Sequence, residues 1–234
     1  MNRPRHILVT GATQGIGLAL VQHFLRQGDI VVGCARGNST IDHPRYTHAR
    51  LDVTDEPAVR RLFKDIRSRL RCLDVLINNA GIASMNPIAL TPFDTAQRII
   101  ATNFLGTFLF THAAIRLLRG SGSGRIVNVT SVAVPLRLEG EAIYAASKSA
   151  TETFTRITAR EVGQFGITCN AIGPSPIRTR LTEGVAEDKI QALIARQAVP
   201  RWANPADVAN VVDFFLRPES GMVTGQVVYL GGFG

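Results

Sequence analysis

The fold is set first by a glycine-rich turn close to the N-terminus. The apolar run Ile7–Thr10 predicts a strand, and a helical pattern over Gly15–Gln27 follows almost at once. The turn between them carries Gly11, Gly15 and Gly17. Glycines allow a tight strand-to-helix turn and close approach of a ligand, and the free N–H groups at the helix start attract a phosphate. The turn therefore predicts a βα unit that binds a dinucleotide, although its spacing is wider than G-x-G-x-x-G and any βα corner needs a glycine.

Apolar runs and helical patterns alternate along the rest of the chain. Further strands are predicted at 30–35, 75–78, 125–129, 167–172 and 226–230, and helices at 56–70, 92–118, 142–162, 187–197 and 205–216. The polar stretch between the second strand and the next helix is predicted to be a loop. This order indicates one doubly wound α/β domain of the Rossmann type over residues 1–234, with a parallel sheet of about seven strands. The long excursion between Pro174 and Pro200 is typical of a functional loop, and we place a substrate lid at about 177–200.

Composition excludes several classes of protein. Apolar residues make up 45% of the chain, which is typical of a globular domain, and charged residues make up only 19%, below the ~25% of an average domain. No apolar run approaches the ~20 residues that a membrane helix needs, so we expect no membrane contact. Cys34, Cys72 and Cys169 lie far apart, and neither they nor the 5 histidines have the spacing of metal ligands. We therefore expect no metal, and a reducing, cytoplasmic compartment.

The chain is strongly basic, with a net charge of +8. Its densest run of cations is Arg60, Arg61, Lys64, Arg67, Arg69 and Arg71. Apolar residues at 59, 62, 63, 66 and 70 trace one face of the same predicted helix, which favours a solvated basic face opposite a buried one. Binding of an acidic protein or of a cofactor phosphate is the main alternative, and the pattern gives little support to nucleic-acid binding.

The motif Tyr144-Ala145-Ala146-Ser147-Lys148 places a phenol and an ammonium on one helix face. A free phenol titrates near ~10. A nearby ammonium and the positive nicotinamide ring of an oxidised cofactor both favour the phenolate, so we expect the two together to lower the pKa of the tyrosine. By itself the pair is more typical of an exposed helix face. Ser131 and Thr130, just after a predicted strand, are rival hydroxyls for a substrate oxygen. Asn103, a poor helix former inside a long predicted helix, is either a functional side chain or a structural amide that kinks the helix.

The end of the second predicted strand indicates which dinucleotide would bind. An NAD site usually has a carboxylate there, bonded to the ribose 2′-hydroxyl. Here Ala35 and Arg36 follow Cys34, and a guanidinium can bind a 2′-phosphate through two parallel hydrogen bonds. These residues favour NADP(H), and a surface arginine in a loop is the alternative.

The motifs occur in the order typical of the short-chain dehydrogenase/reductase family, which the chain resembles over about residues 5–232. The matching segments are Thr10–Gly17, Leu51–Val53, Asn78–Gly81, Tyr144–Lys148 and Asn170–Pro174. The resemblance implies a catalytic set made of Asn103, Ser131, Tyr144 and Lys148. It also implies NADP(H) contacts from Gly11, Thr13, Gln14, Gly15, Ile16, Gly17, Arg36, Asp52, Val53, Asn79, Ala80, Gly81, Tyr144, Lys148, Pro174, Ile177 and Thr179.

The resemblance also implies a mechanism, in which hydride passes from NADPH to a carbonyl carbon. Ser131 would polarise the carbonyl oxygen, and Tyr144 would protonate it as general acid. Lys148 would bind the nicotinamide ribose and tune the tyrosine, while Asn103 would position a water that relays protons to the lysine.

Three further positions follow from the same resemblance. Asp52 would meet the adenine ring, and Thr179 would hold the nicotinamide carboxamide. Ser175 stands where the family usually has a glycine, so we expect the local backbone to differ there.

The C-terminal part of the chain narrows the substrate. The segments Ala198–Ala209 and Val223–Gly232 resemble the bacterial 3-oxoacyl-acyl-carrier-protein reductases. This implies reduction of a 3-oxoacyl thioester, or of another ketone, aldehyde or quinone; a non-catalytic NADP-binding regulatory protein is the alternative of another class. Two arginines with which those reductases dock an acidic carrier are replaced by Phe165 and by Ser121–Ser123, which counts against acyl carrier protein as a partner.

The family resemblance extends to assembly. The long helices that begin near Pro92 and Ala142 and the apolar segment Val223–Leu230 resemble the elements through which the family forms tetramers. The resemblance therefore implies a homotetramer.

Overall fold

One parallel sheet runs through the middle of the protein. Its strands are β1 (His6–Thr10), β2 (Ile30–Ala35), β3 (Tyr46–Arg50), β4 (Val75–Asn78), β5 (Arg125–Val129), β6 (Thr168–Gly173) and β7 (Val227–Tyr229). The computed structural model describes residues 3–232, and within them the strands pair in parallel in the order β3-β2-β1-β4-β5-β6-β7. This sheet confirms the predicted doubly wound α/β fold and its number of strands.

Helices cover both faces of the sheet. They are α1 (Gly15–Arg26), α2 (Glu56–Leu70), α3 (Phe93–Ile100), α4 (Gly106–Arg119), α5 (Ala133–Leu136), α6 (Ala142–Val162), α7 (Glu187–Ala195) and α8 (Pro205–Leu216). Short 3₁₀ turns lie at Ile88–Leu90, Gly163–Phe165 and Pro218–Met222. Buried side chains of α1 and α8 form one apolar layer, and those of α2, α4 and α6 form the other. None of the helices in the described part of the chain is both long and apolar enough to span a membrane.

Strand β1 shows why the sheet sits between two layers. Ile7 and Val9 belong to the layer of α1 and α8, whereas Leu8 belongs to the opposite layer. Successive side chains of a strand point to opposite faces, so an uninterrupted apolar run fits a strand covered on both sides. The same reasoning holds for β4, in which all four residues are buried.

The prediction of a polar loop between β2 and α2 is wrong in part, because β3 lies there. Tyr46 to Ala49 are only half-buried and Arg50 is exposed, since β3 is an edge strand that pairs with β2 alone. An edge strand needs no continuous apolar run, so the apolar pattern used to find the other strands misses it. Strands β2, β4 and β5 and helices α2, α6 and α8 have the predicted bounds.

The long helix predicted over 92–118 is interrupted. Helix α3 ends at Ile100, a π-helical turn spans Ala101–Leu105, and α4 begins at Gly106. Such turns insert one extra residue into a helix and are frequent at functional sites. The turn contains Asn103, so the helix is distorted at this residue, and whether Asn103 is a functional side chain or a structural amide stays open.

Candidate active site

The glycine turn lies at the carboxyl end of β1, where the strand order changes direction. Strand β2 pairs on one side of β1, and β4 pairs on the other. In open α/β sheets, ligands bind in the crevice at such a switch point. The turn and the start of α1 place Gly11, Thr13, Gln14, Gly15, Ile16 and Gly17 there.

Two of these glycines are required by the geometry. Gly11 has a φ of +67°, in the left-handed region that favours glycine. A Cβ added to Gly17 would overlap the carbonyl oxygen of Gly11. The turn is therefore a cradle of main-chain groups without side chains, which fits a diphosphate group lying against the backbone.

The start of α1 also suits an anion. Gln14 occupies the N-cap, and within the described structure its side chain makes no capping hydrogen bond. The first turn of α1 has no acidic residue, so the positive end of the helix dipole is not neutralised locally. Arg180 Nη1 donates to Gln14 Oε1 over 2.9 Å, which brings a cation from the predicted lid to the same place. The residues present thus fit the phosphates of a dinucleotide.

A network from the glycine turn reaches the next strand. Thr10 Oγ1 accepts from the backbone N–H of Asn79 at 2.9 Å and from that of Ala80 at 3.0 Å. Asn79 Nδ2 donates to the carbonyl oxygen of Thr10 at 2.9 Å. A Cβ on Gly81 would lie 3.3 Å from Lys148 Nζ, so this glycine allows the backbone to pass close to that lysine. The structure therefore brings the predicted cofactor residues after β1 and β4 together.

Strand β3, which the sequence analysis missed, supports the loop that carries Arg36. Arg50 Nε donates to the carbonyl oxygen of Arg36 at 3.0 Å, and His48 Nε2 lies 2.9 Å from the carbonyl oxygen of Gly37. Arg36 is exposed, and no carboxylate among residues 3–232 forms a salt bridge with it or with Arg50. Two arginines without salt-bridge partners among residues 3–232 thus follow or end β2 and β3, and the Arg50 guanidinium contacts the backbone of Arg36. The β-branched Thr47 is a weak signal that could have indicated β3.

The turn after β3 is stabilised by the side chain of Asp52. Asp52 Oδ1 accepts from the backbone N–H of Thr54 at 2.9 Å and from its hydroxyl at 2.8 Å, and Val53 is buried. Asp52 lies two residues beyond Arg50, at the same edge of the sheet as the glycine turn. The position is compatible with the predicted contact to an adenine ring, which stays a prediction.

The catalytic candidates meet where β5 ends. Tyr144 and Lys148 lie one turn apart on α6, and both side chains are buried, with 7% of Tyr144 exposed. Lys148 Nζ donates to the carbonyl oxygen of Val129 at 2.8 Å and lies 5.9 Å from the centre of the Tyr144 ring. Ser131 Oγ accepts from the N–H of Ala133 at 3.1 Å, which fixes the hydroxyl at the start of α5. The pair on α6 is therefore not an exposed i,i+4 pair.

The electrostatics of Tyr144 differ from the expectation. Burial raises the pKa of Tyr144 to about 12; the Ser131 hydroxyl lowers this pKa again in part, and Glu141 raises it. Burial also lowers the pKa of Lys148 to about 8. The expected net lowering is therefore wrong for the protein itself, because removal of the phenolate from water dominates and the Lys148 ammonium is not among the described groups that lower this pKa. The contribution of an oxidised nicotinamide ring stays a prediction. A phenol with a raised pKa stays protonated at neutral pH, as a proton donor must.

Asn103 is buried and joins two elements of the site. Its Oδ1 accepts from the N–H of Ile82 at 2.8 Å, and its Nδ2 donates to the carbonyl oxygen of Ile82 at 2.9 Å and to Ser147 Oγ at 3.0 Å. The amide therefore ties the loop after β4 to α6. Its role in a proton relay to Lys148 stays a prediction.

The segment after β6 closes over the glycine turn. Pro174 accepts from the N–H of Val132, and the buried Ile177 forms an isolated β-bridge with Ala203. A Cβ on Gly15 would lie 3.2 Å from the methyl group of Thr179, so the threonine lies against the turn. Ser175 is buried and does not lie in the left-handed region. The backbone there accommodates a side chain without strain.

Known proteins resemble the chain over almost its whole length. A family model described as "Enoyl-(Acyl carrier protein) reductase" matches residues 11–233. The 3-oxoacyl-[acyl-carrier-protein] reductase FabG of Vibrio harveyi is 32% identical over 231 residues, which cover 96% of this chain and 95% of that protein. The (3R)-3-hydroxyacyl-CoA dehydrogenase of Mus musculus is 34% identical, with 96% and 94% covered. The ligand-free aldohexose dehydrogenase of Thermoplasma acidophilum superposes with a TM-score of 0.89 at 29% identity, covering 99% of this chain and 94% of that one.

Proposed function

Because this chain belongs to the short-chain dehydrogenase/reductase family of oxidoreductases, we propose that it reduces the ketone of a 3-oxoacyl thioester with NADPH. The observation that carries the proposal is the meeting of Ser131, Tyr144 and Lys148 beside the loop at Gly81, at the sheet edge that holds the glycine turn. A carbonyl at this place has a hydroxyl, a protonated phenol and an ammonium within one site.

The side chains divide the work of reduction among them. Tyr144, whose raised pKa keeps it protonated, donates its proton to the carbonyl oxygen. Ser131 holds that oxygen and polarises the carbonyl. Lys148 stabilises the phenolate left on Tyr144 and holds the nicotinamide ribose. NADPH, when bound, supplies the hydride for the carbonyl carbon.

The cofactor proposal rests on the loop after β2. NADPH carries a 2′-phosphate, and Arg36 and Arg50 are two cations without salt-bridge partners among residues 3–232. Arginine forms charge-assisted, two-pronged bonds with phosphate. We propose that Arg36 binds this phosphate and that the glycine turn binds the diphosphate.

The thioester proposal is supported by the names of two relatives. The Vibrio harveyi protein is a 3-oxoacyl reductase and the mouse protein a 3-hydroxyacyl-CoA dehydrogenase, so both names describe a thioester oxygenated at the third carbon. Because Phe165 and Ser121–Ser123 replace two docking arginines, we propose a thioester that is not presented by a docked carrier protein.

A substrate panel tests the function. NADPH oxidation is followed with acetoacetyl-CoA, with the same acyl group on acyl carrier protein, and with simple ketones, aldehydes, quinones and aldohexoses. We expect the highest kcat/KM with acetoacetyl-CoA. A preference for a sugar or a simple ketone would contradict the thioester, and NADPH binding without turnover on any carbonyl would contradict enzymatic function.

We propose that the segment 177–200 is a substrate lid. Helix α7 packs through Ile190 and Ile194 and exposes most of its other side chains, and Ala198 N–H donates to the carbonyl oxygen of Gly231. Few anchors favour opening and closing over a site that must exclude water. Amide hydrogen exchange in the segment should slow when NADPH and substrate bind, and full protection of the free protein would contradict a moving lid.

We also propose a homotetramer in the cytoplasm. Large apolar side chains are exposed on the π turn, α4 and α6, where Leu105 is 47%, Phe108 42% and Ile157 52% exposed. Neighbouring exposed apolar groups favour a subunit interface. Light scattering should give four times the 25.3 kDa of one chain, and a monomer mass would contradict the assembly.

The proposed location in the cytoplasm is supported by the cysteines, which are unpaired and therefore suit a reducing compartment.

A further inference from the structure

Three consecutive residues at the end of β5 are each approached by a different turn of α6. Lys148 Nζ donates to the carbonyl oxygen of Val129 at 2.8 Å, and Thr130 Oγ1 donates to Glu152 Oε1 at 2.8 Å. Tyr144 lies close enough to the next hydroxyl, that of Ser131, for the two groups to interact. Positions 144, 148 and 152 are four residues apart and therefore share one face of the helix.

Glu152 is the member of this row that the proposed mechanism does not use. It is only 4% exposed, although it is an acid inside the fold. Tyr229 of β7 donates to Glu152 Oε1 at 2.6 Å, and the exposed Arg156 lies 3.9 Å from Oε2. A buried carboxylate is costly unless donors reach it, and the hydroxyls of Thr130 and Tyr229 supply those donors.

The bond from Thr130 to Glu152 acts directly before the proposed catalytic serine. The backbone N–H of Thr130 donates to the carbonyl oxygen of Ile172 at 2.8 Å, so β6 holds its main chain while α6 holds its side chain. Ser131 follows at the point where the chain leaves β5 for α5. The distance between Ser131 and α6 is therefore fixed through Thr130.

We propose that Glu152 is a positioning residue, which holds Thr130 against α6 so that Ser131 faces Tyr144 and the substrate oxygen. The inference rests on the proposed function in one respect, the action of Ser131 and Tyr144 on a carbonyl. Tyr229 extends the same link to β7, so the strand nearest the C-terminus takes part in shaping the site.

Substitutions with matched shapes test the role. Thr130→Val removes the hydroxyl and keeps the shape, Glu152→Leu removes the acceptor, and Glu152→Gln keeps an acceptor oxygen. We expect Thr130→Val and Glu152→Leu to lower kcat by up to ~10², the usual effect of a misplaced catalytic group, with the Kd for NADPH unchanged. Glu152→Gln should restore most of the turnover. The control is Glu161→Leu, which makes the same exchange at an exposed site on α6 and should leave kcat unchanged.

A double-mutant cycle separates positioning from general loss of stability. If Glu152 acts through Ser131, then Glu152→Leu should add little to the loss of turnover already caused by Ser131→Ala. Independent, multiplying losses would overturn the proposal. If Glu152→Leu does not fold, Thr130→Val carries the same cycle with Ser131→Ala.

A spectroscopic measurement reads the placement without activity. The chain has 3 tyrosines, so ¹³Cζ labelling gives few resonances, and Tyr144→Phe assigns the one that matters. Thr130→Val and Glu152→Leu should shift the Tyr144 resonance in the direction that Ser131→Ala does, and Glu152→Gln should not. An unmoved resonance in folded variants would overturn the positioning role. Lack of carbonyl reduction by the wild-type protein would instead overturn the proposed function, and this measurement would still report where Ser131 lies.

Discussion

The two sides of the proposed site are built from different parts of the chain. Beside β1, the glycine turn offers main-chain groups and excludes side chains, as the overlap expected at Gly17 shows. Beside β5, helix α6 offers side chains whose positions are fixed by bonds to the strand, as Lys148 is by Val129. The first side has the character of a binding surface for a large anion, and the second has the character of a place where protons move.

This difference predicts which substitutions affect which measurement. On the glycine side, damage comes from adding atoms and should appear in cofactor affinity. On the α6 side, damage comes from removing one polar atom and should appear in turnover; Lys148, which we propose also holds the nicotinamide ribose, should affect cofactor binding as well. A substitution that changes the wrong quantity would show that the two sides are not separate.

The largest effect is expected for Tyr144→Phe, which removes one hydroxyl and keeps the ring. If Tyr144 is the general acid, kcat should fall by ~10²–10⁴ while the Kd for NADPH stays nearly constant. Single-turnover kinetics and quenching of NADPH fluorescence measure the two quantities. Thr153→Val, at an exposed position on the same helix, is the control. Near wild-type turnover in Tyr144→Phe would exclude the mechanism.

The next largest effect is expected for Gly17→Ala on the opposite side. The added methyl group would overlap the carbonyl oxygen of Gly11, and overpacking of this kind costs about 1–3 kcal/mol. We expect the Kd for NADPH to rise by about tenfold or more, with a smaller effect on kcat at saturating cofactor. Gly163→Ala is the matched control, because its new methyl group would meet no atom of the described residues within 4 Å. An unchanged Kd would show that the cofactor does not use this turn.

Arg36→Asp sharpens the comparison within the cofactor side. We expect the wild-type protein to bind NADPH at least about tenfold more tightly than NADH, and tenfold corresponds to ~1.4 kcal/mol. The substitution should erase or reverse this preference, because it replaces a phosphate-binding cation with a carboxylate that suits a ribose hydroxyl. Titrations with both cofactors measure it. Equal affinities in the wild-type protein would contradict the role of Arg36.

The smallest expected effect is a pH dependence on the α6 side. Burial lowers the pKa of Lys148 to about 8, so the ammonium is present at pH 7 and is lost as the pH rises through that pKa. The kcat/KM for NADPH, which reports groups of the free enzyme, should therefore fall about fourfold between roughly pH 7 and pH 8.5. Lys148→Arg keeps its charge over this range, so its profile should lack this decline even where turnover is lower. The same decline in Lys148→Arg would assign it to another group.

The sequence determined the fold to a large extent. Strands β2, β4 and β5 are apolar runs that become buried, and α6 has apolar residues at a helical period. The pattern of apolar residues therefore predicts where these elements begin and end. The glycine turn could also be recognised, since φ angles such as that of Gly11 can be adopted easily only by glycine. Edge strand β3 and the π turn at Ala101–Leu105 were missed, because neither follows a pattern of apolar residues.

The tertiary structure decided how the site is held and charged. Nothing local to Glu152 shows that Thr130 and Tyr229 donate to it, because those residues lie 22 and 77 positions away along the chain. Likewise, the four-residue spacing of Tyr144 and Lys148 predicted a lowered pKa for Tyr144, and only the packing around α6 revealed that burial raises this pKa. Local sequence encodes which side chains leave water, whereas bonds between distant residues and the energy of a buried charge depend on how the elements pack.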